Sequence, residues 1–553
     1  MLLKEGASVP LSSSQPQSRF RERLEGMYCH ANAVGAHRNL LILFGLFVFA
    51  RTIASLWLPF GWDHGMMAEV GHTYFKGSLP YRDAWDMKGP LAYVVFAAAE
   101  AIFGRNMWGI RVIDAAIMVS TAAVLGRAAS RLSSPNYAPW IALGFLLLFS
   151  SNGWFFTAQP DGWVAAASTF AITPYLNTNQ YPTLFQSWRS GLMLGLATLI
   201  KPLYVVFVLC PAAAVALQNK RRPVERLRHW LMLASGLIIP IVVVILFYVD
   251  HKALGSLIEV HILYPAKSYS YVGQRTFGTI VSSLASHLRS QPMLEHLPLV
   301  TLAGIIPFIT VGIWNLRKNP IIFATLTLWS CIALFCIMLQ GKFYAYHWYP
   351  LYPPAIILAV TGLATVNIAA NQLSTIAPLL YLSALSIPLL IVPVIETFWT
   401  ARHIFGLTTE TKYYSNFQFR EYNANDQVEA VTYLSAQADL GDRLFVLGHE
   451  PIINYLSGLE PPTRFIFSLP LFEPGPFLHQ YRLETLDQLE KIKPRYIIVG
   501  TPFAGSKSAT IDAFPEFGAL LGARYRYAMS FGYLDLYEYR PEADTSSVLR
   551  PRL

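Results

Sequence analysis

The chain has 553 residues, of which 54% are hydrophobic and only 14% charged, and its formal net charge is +9. So apolar a composition excludes an ordinary soluble enzyme and places the chain among polytopic membrane proteins. Lys and Arg flank apolar runs without forming a continuous stripe, which argues against nucleic acid as a partner. The four cysteines, Cys29, Cys210, Cys331 and Cys336, form no CxxC or Cys/His pattern, so neither a disulfide framework nor a zinc site is implied.

Residues 1–38 are mostly polar and precede the first apolar run, so no cleavable signal is expected and the first span stays as an anchor. Runs long enough to cross about 30 Å of hydrocarbon fall near 39–58, 107–126, 138–154, 161–177, 188–200, 202–217, 229–248, 298–315, 320–339, 350–368 and 375–394. About 11 spans are therefore expected, the fifth and sixth meeting at Lys201-Pro202 as a tight hairpin. Basic clusters at Arg19 to Arg38, Arg127 and Arg131, Lys220 to Arg228, and Arg317-Lys318 then share one side, which the positive-inside rule makes the cytoplasm. This reading puts the C-terminal region outside, in a multi-pass protein of the cytoplasmic (inner) membrane.

Residues 89–104 are apolar but short for a span; they are expected to form an interfacial or re-entrant helix with Pro90 in its first turn. They belong to a long outer loop, 59–106. A second outer loop, 249–297, is expected to hold a further interfacial helix. After about residue 396 charge rises and apolar runs shrink to strand length. Helices are expected over Val428 to Ala438, from Pro451 and over Leu483 to Ile492, and strands over Asp442 to Gly448, Arg464 to Phe467 and Tyr496 to Val499. The expected domains are a cytoplasmic segment 1–38, a transmembrane part 39–396 and an extracytoplasmic α/β domain 397–553. The last has no GxGxxG, Walker or GxSxG motif.

The loop Trp62 to Leu91 concentrates charge directly after a span, where unpaired charge is costly and must be hydrated, paired or used. Asp63, and Asp161 at the start of the fourth run, can converge on one cavity from different spans; a desolvated carboxylate there would have the raised pKa of a general base. Asp161 also fits a helix-capping role. Lys88, Lys201 and Lys342, with Arg82 and Arg275, lie at the same depth, where cations can hold a phosphate and stabilise it as it leaves, although interfacial lysines also snorkel. Asp86 sits beside Lys88. The segment Gly341 to Pro350, with Tyr346, His347 and Tyr349, can grip a sugar or phosphate, but also fits an aromatic belt. The sequence specifies no cofactor; a divalent metal site can be built from Asp63, His64, Glu69 and His72, without an HExxH-type pattern behind it. Arg51 and Glu100 read as pairing groups inside the bundle, and His449-Glu450 as a structural strand end.

Asp63 after the first span, Gly77-Ser78-Leu79-Pro80-Tyr81-Arg82-Asp83, Asp86-Met87-Lys88-Gly89-Pro90-Leu91, Leu199-Ile200-Lys201-Pro202 and Tyr346-His347-Trp348-Tyr349-Pro350 occur in an order that resembles a known family. The chain looks like a bacterial member of glycosyltransferase family 39, the dolichyl-phosphate-mannose protein mannosyltransferase-like group of the C-type membrane glycosyltransferases. The resemblance implies transfer of a sugar from a polyprenyl-phosphate donor to a lipid, glycolipid or protein acceptor on the outer face. It implies Asp63 as the first-loop catalytic acidic residue, Asp161 as the second acidic position and Lys88 as the basic position before the interfacial helix. Family members of the eukaryotic type have an Asp-Glu pair where this chain has Asp63-His64, so the acceptor stays open. A flippase of lipid-linked glycans, and a ligase or polymerase using lipid pyrophosphates, are the alternatives.

Overall fold

The computed structural model describes residues 38–133, 135–177, 180–218, 221–269, 276–290, 293–370, 376–501 and 507–541. The chain divides into two compact units, Met1–Ala50 and Arg51–Leu553. Of the first, only the helical residues 38–50 are described; the second carries the remaining helices and the sheet.

Among the described residues six helices are long and apolar enough to cross a membrane: Arg38–Trp57, Gly109–Leu132, Pro223–Asp250, Pro320–Gln340, Ala345–Val366 and Ile387–Ile404. A seventh arises if Pro298–Gly304 and Ile306–Leu316, bent by 47°, count as one. The runs expected near 138–154, 161–177 and 188–200 form the shorter helices Ala138–Ser150, Pro160–Ile172 and Leu184–Ile200. The 202–217 run breaks into a 3-10 stretch, Pro202–Val208, and a short helix, Leu209–Ala216. Pro223–Asp250 shows why this is a membrane fold: Leu231, Val243, Leu246 and Val249 are exposed although apolar, and only lipid tolerates such a face. Its opposite face packs on Leu184–Ile200 through Gly191 and Gly236. A Cβ on Gly191 would sit 2.0 Å from the Leu233 carbonyl oxygen, so two backbones meet where small residues allow it.

Pro90–Phe103 is a helix of 14 residues with proline in its first turn and Gly89 as N-cap; at about 1.5 Å per residue it is too short to span. Within 249–297 Phe277–Ser290 is helical, while Arg275 lies outside the described residues.

Beyond residue 417 the chain builds a four-stranded mixed sheet. Leu444–Leu447 pairs in parallel with Tyr496–Val499, which pairs antiparallel with Leu534–Tyr539, whose outer neighbour is Tyr525–Phe531. Helices Ala424–Gln437, Ile452–Ser457 and Leu478–Ile492 correspond to the three expected. Arg464 to Phe467 is a correction: it forms no strand. Its Arg464 carbonyl instead accepts the Trp85 N–H at 2.6 Å, and Phe465 and Phe467 are buried against Tyr481 and Trp85. The aromatic run therefore docks on the loop 59–106 instead of joining the sheet. The hairpin Tyr525–Tyr539 is not among the elements expected from the sequence.

Candidate active site

Helix Trp62–His72 follows the first long helix after a short turn, with Gly61 as N-cap. The Gly61 N–H donates to His64 Nδ1 at 2.9 Å, which leaves Nε2 to donate to the Thr157 carbonyl at 2.5 Å. Burial and the charge of Arg111 hold the His64 pKa down to about 3, so the ring is a neutral clasp on the helix start. This fixes Asp63, the first acidic residue of that helix, in its orientation.

Lys88 meets it. Its Nζ lies 3.1 Å from Asp63 Oδ1 and 3.7 Å from Asp86 Oδ2. The Lys88 carbonyl accepts from both Tyr81 Oη at 2.7 Å and Tyr93 Oη at 2.9 Å, and the neighbouring Met87 carbonyl is 3.0 Å from His261 Nδ1. This backbone clamp aims the lysine from the loop side. On the other side Gly89 N–H donates to the Ile200 carbonyl at 3.0 Å. A Cβ at Gly89 would lie 2.1 Å from the Leu199 oxygen, so only glycine lets the two chains approach. Since Lys88 precedes Gly89 and Lys201 follows Ile200, this one backbone contact draws the two lysines toward one another.

Lys201 Nζ lies 3.1 Å from both carboxylate oxygens of Asp161 and 2.5 Å from Gln340 Oε1, and Tyr204 Oη donates to Asp161 Oδ1 at 2.5 Å. Asp161 is thus held by side chains as well as by its helix start. Its charge also acts on Lys88, so the two clusters are neighbours.

Burial raises the Asp63 carboxyl's pKa, but the adjacent Lys88 ammonium, aided by a hydrogen bond from Tyr346, outweighs this and holds it below the ordinary value. The desolvation expected from sequence is present, then, and its effect is reversed by an ion pair. At Asp86, burial wins over Lys88 and the pKa rises. Burial disfavours the Lys88 ammonium, yet Asp63 and Asp86 raise its pKa overall.

Tyr346 and His347 line the same region, their rings 4.7 Å apart, and His347 Nδ1 is buried without a hydrogen-bond partner among the described residues. Tyr349 is spent on the scaffold, donating to the Phe156 carbonyl at 2.7 Å. Lys342 stacks over the Tyr269 ring at 4.6 Å. Arg82 is drawn away to the surface, 2.7 Å from Asp83 and within 3.4 Å of the His251 carbonyl. Among the described residues no group of three or more His, Cys, Asp or Glu side chains is arranged to hold a metal: His64 is clasped as above, and His72 pairs with Glu100 at 2.7 Å.

The structure adds contributors that sequence reasoning does not single out. Tyr204 and Gln340 are legible only as polar residues closing apolar runs. His449 and Glu450 read in the sequence as a structural strand end, yet Glu450 Oε1 accepts from Trp62 Nε1 and from Tyr533 Oη, each at 3.2 Å, and the His449 ring lies 5.3 Å from that of Trp62. Asp63 follows Trp62 directly, so the C-terminal sheet region braces the start of the helix that carries Asp63.

No family model and no curated protein matches the sequence. Among solved structures, ArnT from Cupriavidus metallidurans bound to undecaprenyl phosphate superposes with a TM-score of 0.56, over 93% of this chain and 99% of that one, at 13% identity. The apo form of the same protein gives 0.56 over 94% and 100%, at 14% identity. This chain has the ArnT fold. It is a multi-pass membrane protein whose likeness to ArnT runs through nearly the whole length of both chains.

Proposed function

We propose that the protein is a membrane glycosyltransferase that moves a sugar from a polyprenyl-phosphate donor to a lipid, glycolipid or protein acceptor on the outer face of the cytoplasmic membrane. The observation that carries this is the paired Asp63–Lys88 and Asp161–Lys201 arrangement, drawn together by the Gly89–Ile200 contact within a fold shared with a protein solved with undecaprenyl phosphate.

In this reading the acceptor hydroxyl gives its proton to Asp63 while its oxygen attacks the anomeric carbon; the bond from that carbon to the donor phosphate oxygen breaks, and its electron pair leaves with the phosphate. Lys88 stabilises the developing charge, helped by Lys201. Lys342 and Arg275 are further candidates for the donor phosphate; Asp86, Tyr346, His347 and Arg82 are candidates for the sugar and acceptor, while Tyr349, its hydroxyl held by the Phe156 carbonyl, supports the segment that carries Tyr346 and His347. Asp63 becomes a better base when a phosphate competes for its lysine, because the ion pair that holds its pKa down is then shared. Proton acceptance is thereby tied to donor arrival. The same reading places residues 1–38 in the cytoplasm, about 11 spans in 39–396 and the sheet region 397–553 outside.

Purified protein incubated with polyprenyl-monophosphate sugars and candidate acceptors tests this. The expected products are polyprenyl phosphate and a glycosylated acceptor. Movement of intact lipid across a vesicle without bond cleavage would make the protein a flippase, and release of lipid pyrophosphate would make it a ligase; either overturns the reading.

A further inference from the structure

Away from the lysine clusters, a cavity of about 420 Å³ opens between the loop 72–84 and the segments 460–464 and 484–488. Its wall is mostly polar, with Ala84, Pro461 and Pro462 as its apolar part. Most of its charges are already neutralised in place: Lys76 pairs with Glu460 at 2.8 Å, Arg82 with Asp83 at 2.7 Å and Arg464 with Glu484 at 2.7 Å. Glu69 is the exception. It lines the cavity, is only 4% exposed, and receives no hydrogen bond or ion pair from any described residue. A buried carboxyl without a partner costs stability, and burial pushes this one up to about 7 against the opposing charges of Lys76 and Arg105.

We propose that this cavity binds a neutral, hydroxyl-rich glycan, with Glu69 as the buried hydrogen-bond anchor. The cations of the wall are already held by carboxylates, so an anionic ligand finds no open counter-ion, and a cationic one finds only Glu69, whose charge burial suppresses. A sugar hydroxyl, which can both donate and accept, suits a carboxyl that exchanges protonation states near neutrality. The paired charges supply further donors and acceptors around the rim without a net field. The assignment deepens the transfer reading, on which it rests for naming the ligand as part of the acceptor. Glu69 lies six residues after Asp63 in the same helix, about 9 Å along its axis and on a different face. The cavity would therefore seat a distal sugar of the acceptor, not the reacting hydroxyl.

The test is a titration of the full-length protein, in a detergent without a sugar headgroup, with chitotriose, maltotriose and mannotriose, against anionic trigalacturonate and a cationic chitosan trimer. Polyprenyl-phosphate binding is measured on the same samples. At least one neutral trisaccharide should bind in preference to both charged ones. Its affinity should fall at least tenfold in Glu69→Ala and in the cavity-filling Gln488→Trp, and less in Glu69→Gln, with phosphate-lipid binding unchanged. Competition by a glycolipid bearing the same sugars would identify the acceptor as the source; displacement by free glycan alone would identify a soluble one and remove the acceptor assignment. Failure of all neutral sugars to bind the wild type, preference for a charged trimer, or equal binding by Glu69→Ala overturns the proposal. If Glu69-dependent binding is seen while no donor supports transfer, the cavity assignment stands and the transfer reading falls.

Discussion

Two acid–base pairs in this molecule have similar chemistry and different surroundings. Asp63 and Lys88, 3.1 Å apart, each keep about a fifth of their side-chain surface open. Arg51 and Glu396, 2.5 Å apart, are each 3% exposed, and Glu396 also accepts the Trp154 N–H at 2.8 Å. The second pair is sealed and joins the end of the first long helix to the last; the pairing expected of Arg51 is present, with Glu396 as a partner that sequence reasoning does not name. The first has room for a third partner, and its lysine already divides itself between Asp63 and Asp86. Charge inside a membrane protein marks function only where something else can reach it.

The largest effect expected from this contrast is at Asp63. Asp63→Asn keeps the shape and removes the proton acceptor, so turnover should fall by about 10³-fold or more while donor binding changes little. Turnover near the wild-type rate in purified, folded variant would remove Asp63 from the reaction and erase the contrast between the pairs. Because its pKa is held below the ordinary value, the pair's contribution to stability is present above about pH 4 and is lost as pH falls through the lowered value. At neutral pH this contribution is fully present, so the group should add no pH dependence to unfolding there.

The sealed pair should behave in the opposite manner. Glu396→Ala leaves Arg51 buried and uncompensated, which costs about 3–5 kcal/mol, read as a lower unfolding midpoint. The folded fraction should turn over at close to the normal rate. Replacing both partners, Arg51→Met with Glu396→Leu, should recover most of the stability. A turnover defect in that stable double variant would mean that the sealed pair also takes part in the chemistry.

A third contrast concerns two buried glutamates, Glu69 within the helix that carries Asp63 and Glu450 hydrogen-bonded to its first residue, Trp62. Burial pushes both Glu69 and Glu450 up to about 7. Each therefore binds a proton more tightly folded than unfolded, and its stabilising contribution, complete below about pH 4.5, is lost as pH rises through 7. Each shift corresponds to roughly 3 kcal/mol. Stability should decline from about pH 5 to above 7; Glu450→Gln and Glu69→Gln should each remove about half of that decline. A Gln variant with an unchanged pH slope would show that its carboxyl is already ionised.

How much of this is readable from sequence depends on the distance along the chain between partners. Asp63 and Lys88 stand in one loop, and the density of charge beside a span is enough to connect them. Tyr496–Val499 is fully buried and lies between helices, so its apolar run is a sufficient strand signal. Arg464 to Phe467 carries nearly the same signal, but propensity cannot say whether a partner is a strand or a single backbone group such as Trp85 N–H. The hairpin at 525–539 does carry a cue, two aromatic-rich segments around Gly532-Tyr533, although the expected strands do not include it. Glu450 has no local cue, since its partner Trp62 is 388 positions away. The convergence of Lys88 and Lys201 likewise depends on a carbonyl meeting Gly89, which no periodicity encodes.

The smallest effect asks whether Lys88 acts as a charge or as a shaped donor. Lys88→Ala should lower kcat/KM by about 10²-fold through both parameters, because in the proposed mechanism the ammonium both binds the phosphate and stabilises it as it leaves. Lys88→Arg keeps the charge but presents a planar fork, in a place where the Lys88 carbonyl is clamped by Tyr81 and Tyr93 and the side chain cannot be re-aimed freely. If charge alone matters, Arg should recover most of the loss. The clamp predicts that it recovers only part, mainly in KM, since attraction tolerates an offset that leaving-group stabilisation does not. Full recovery in kcat would show that the two tyrosines hold the loop and not the lysine's aim, and would make the open pair more like the sealed one than its geometry indicates.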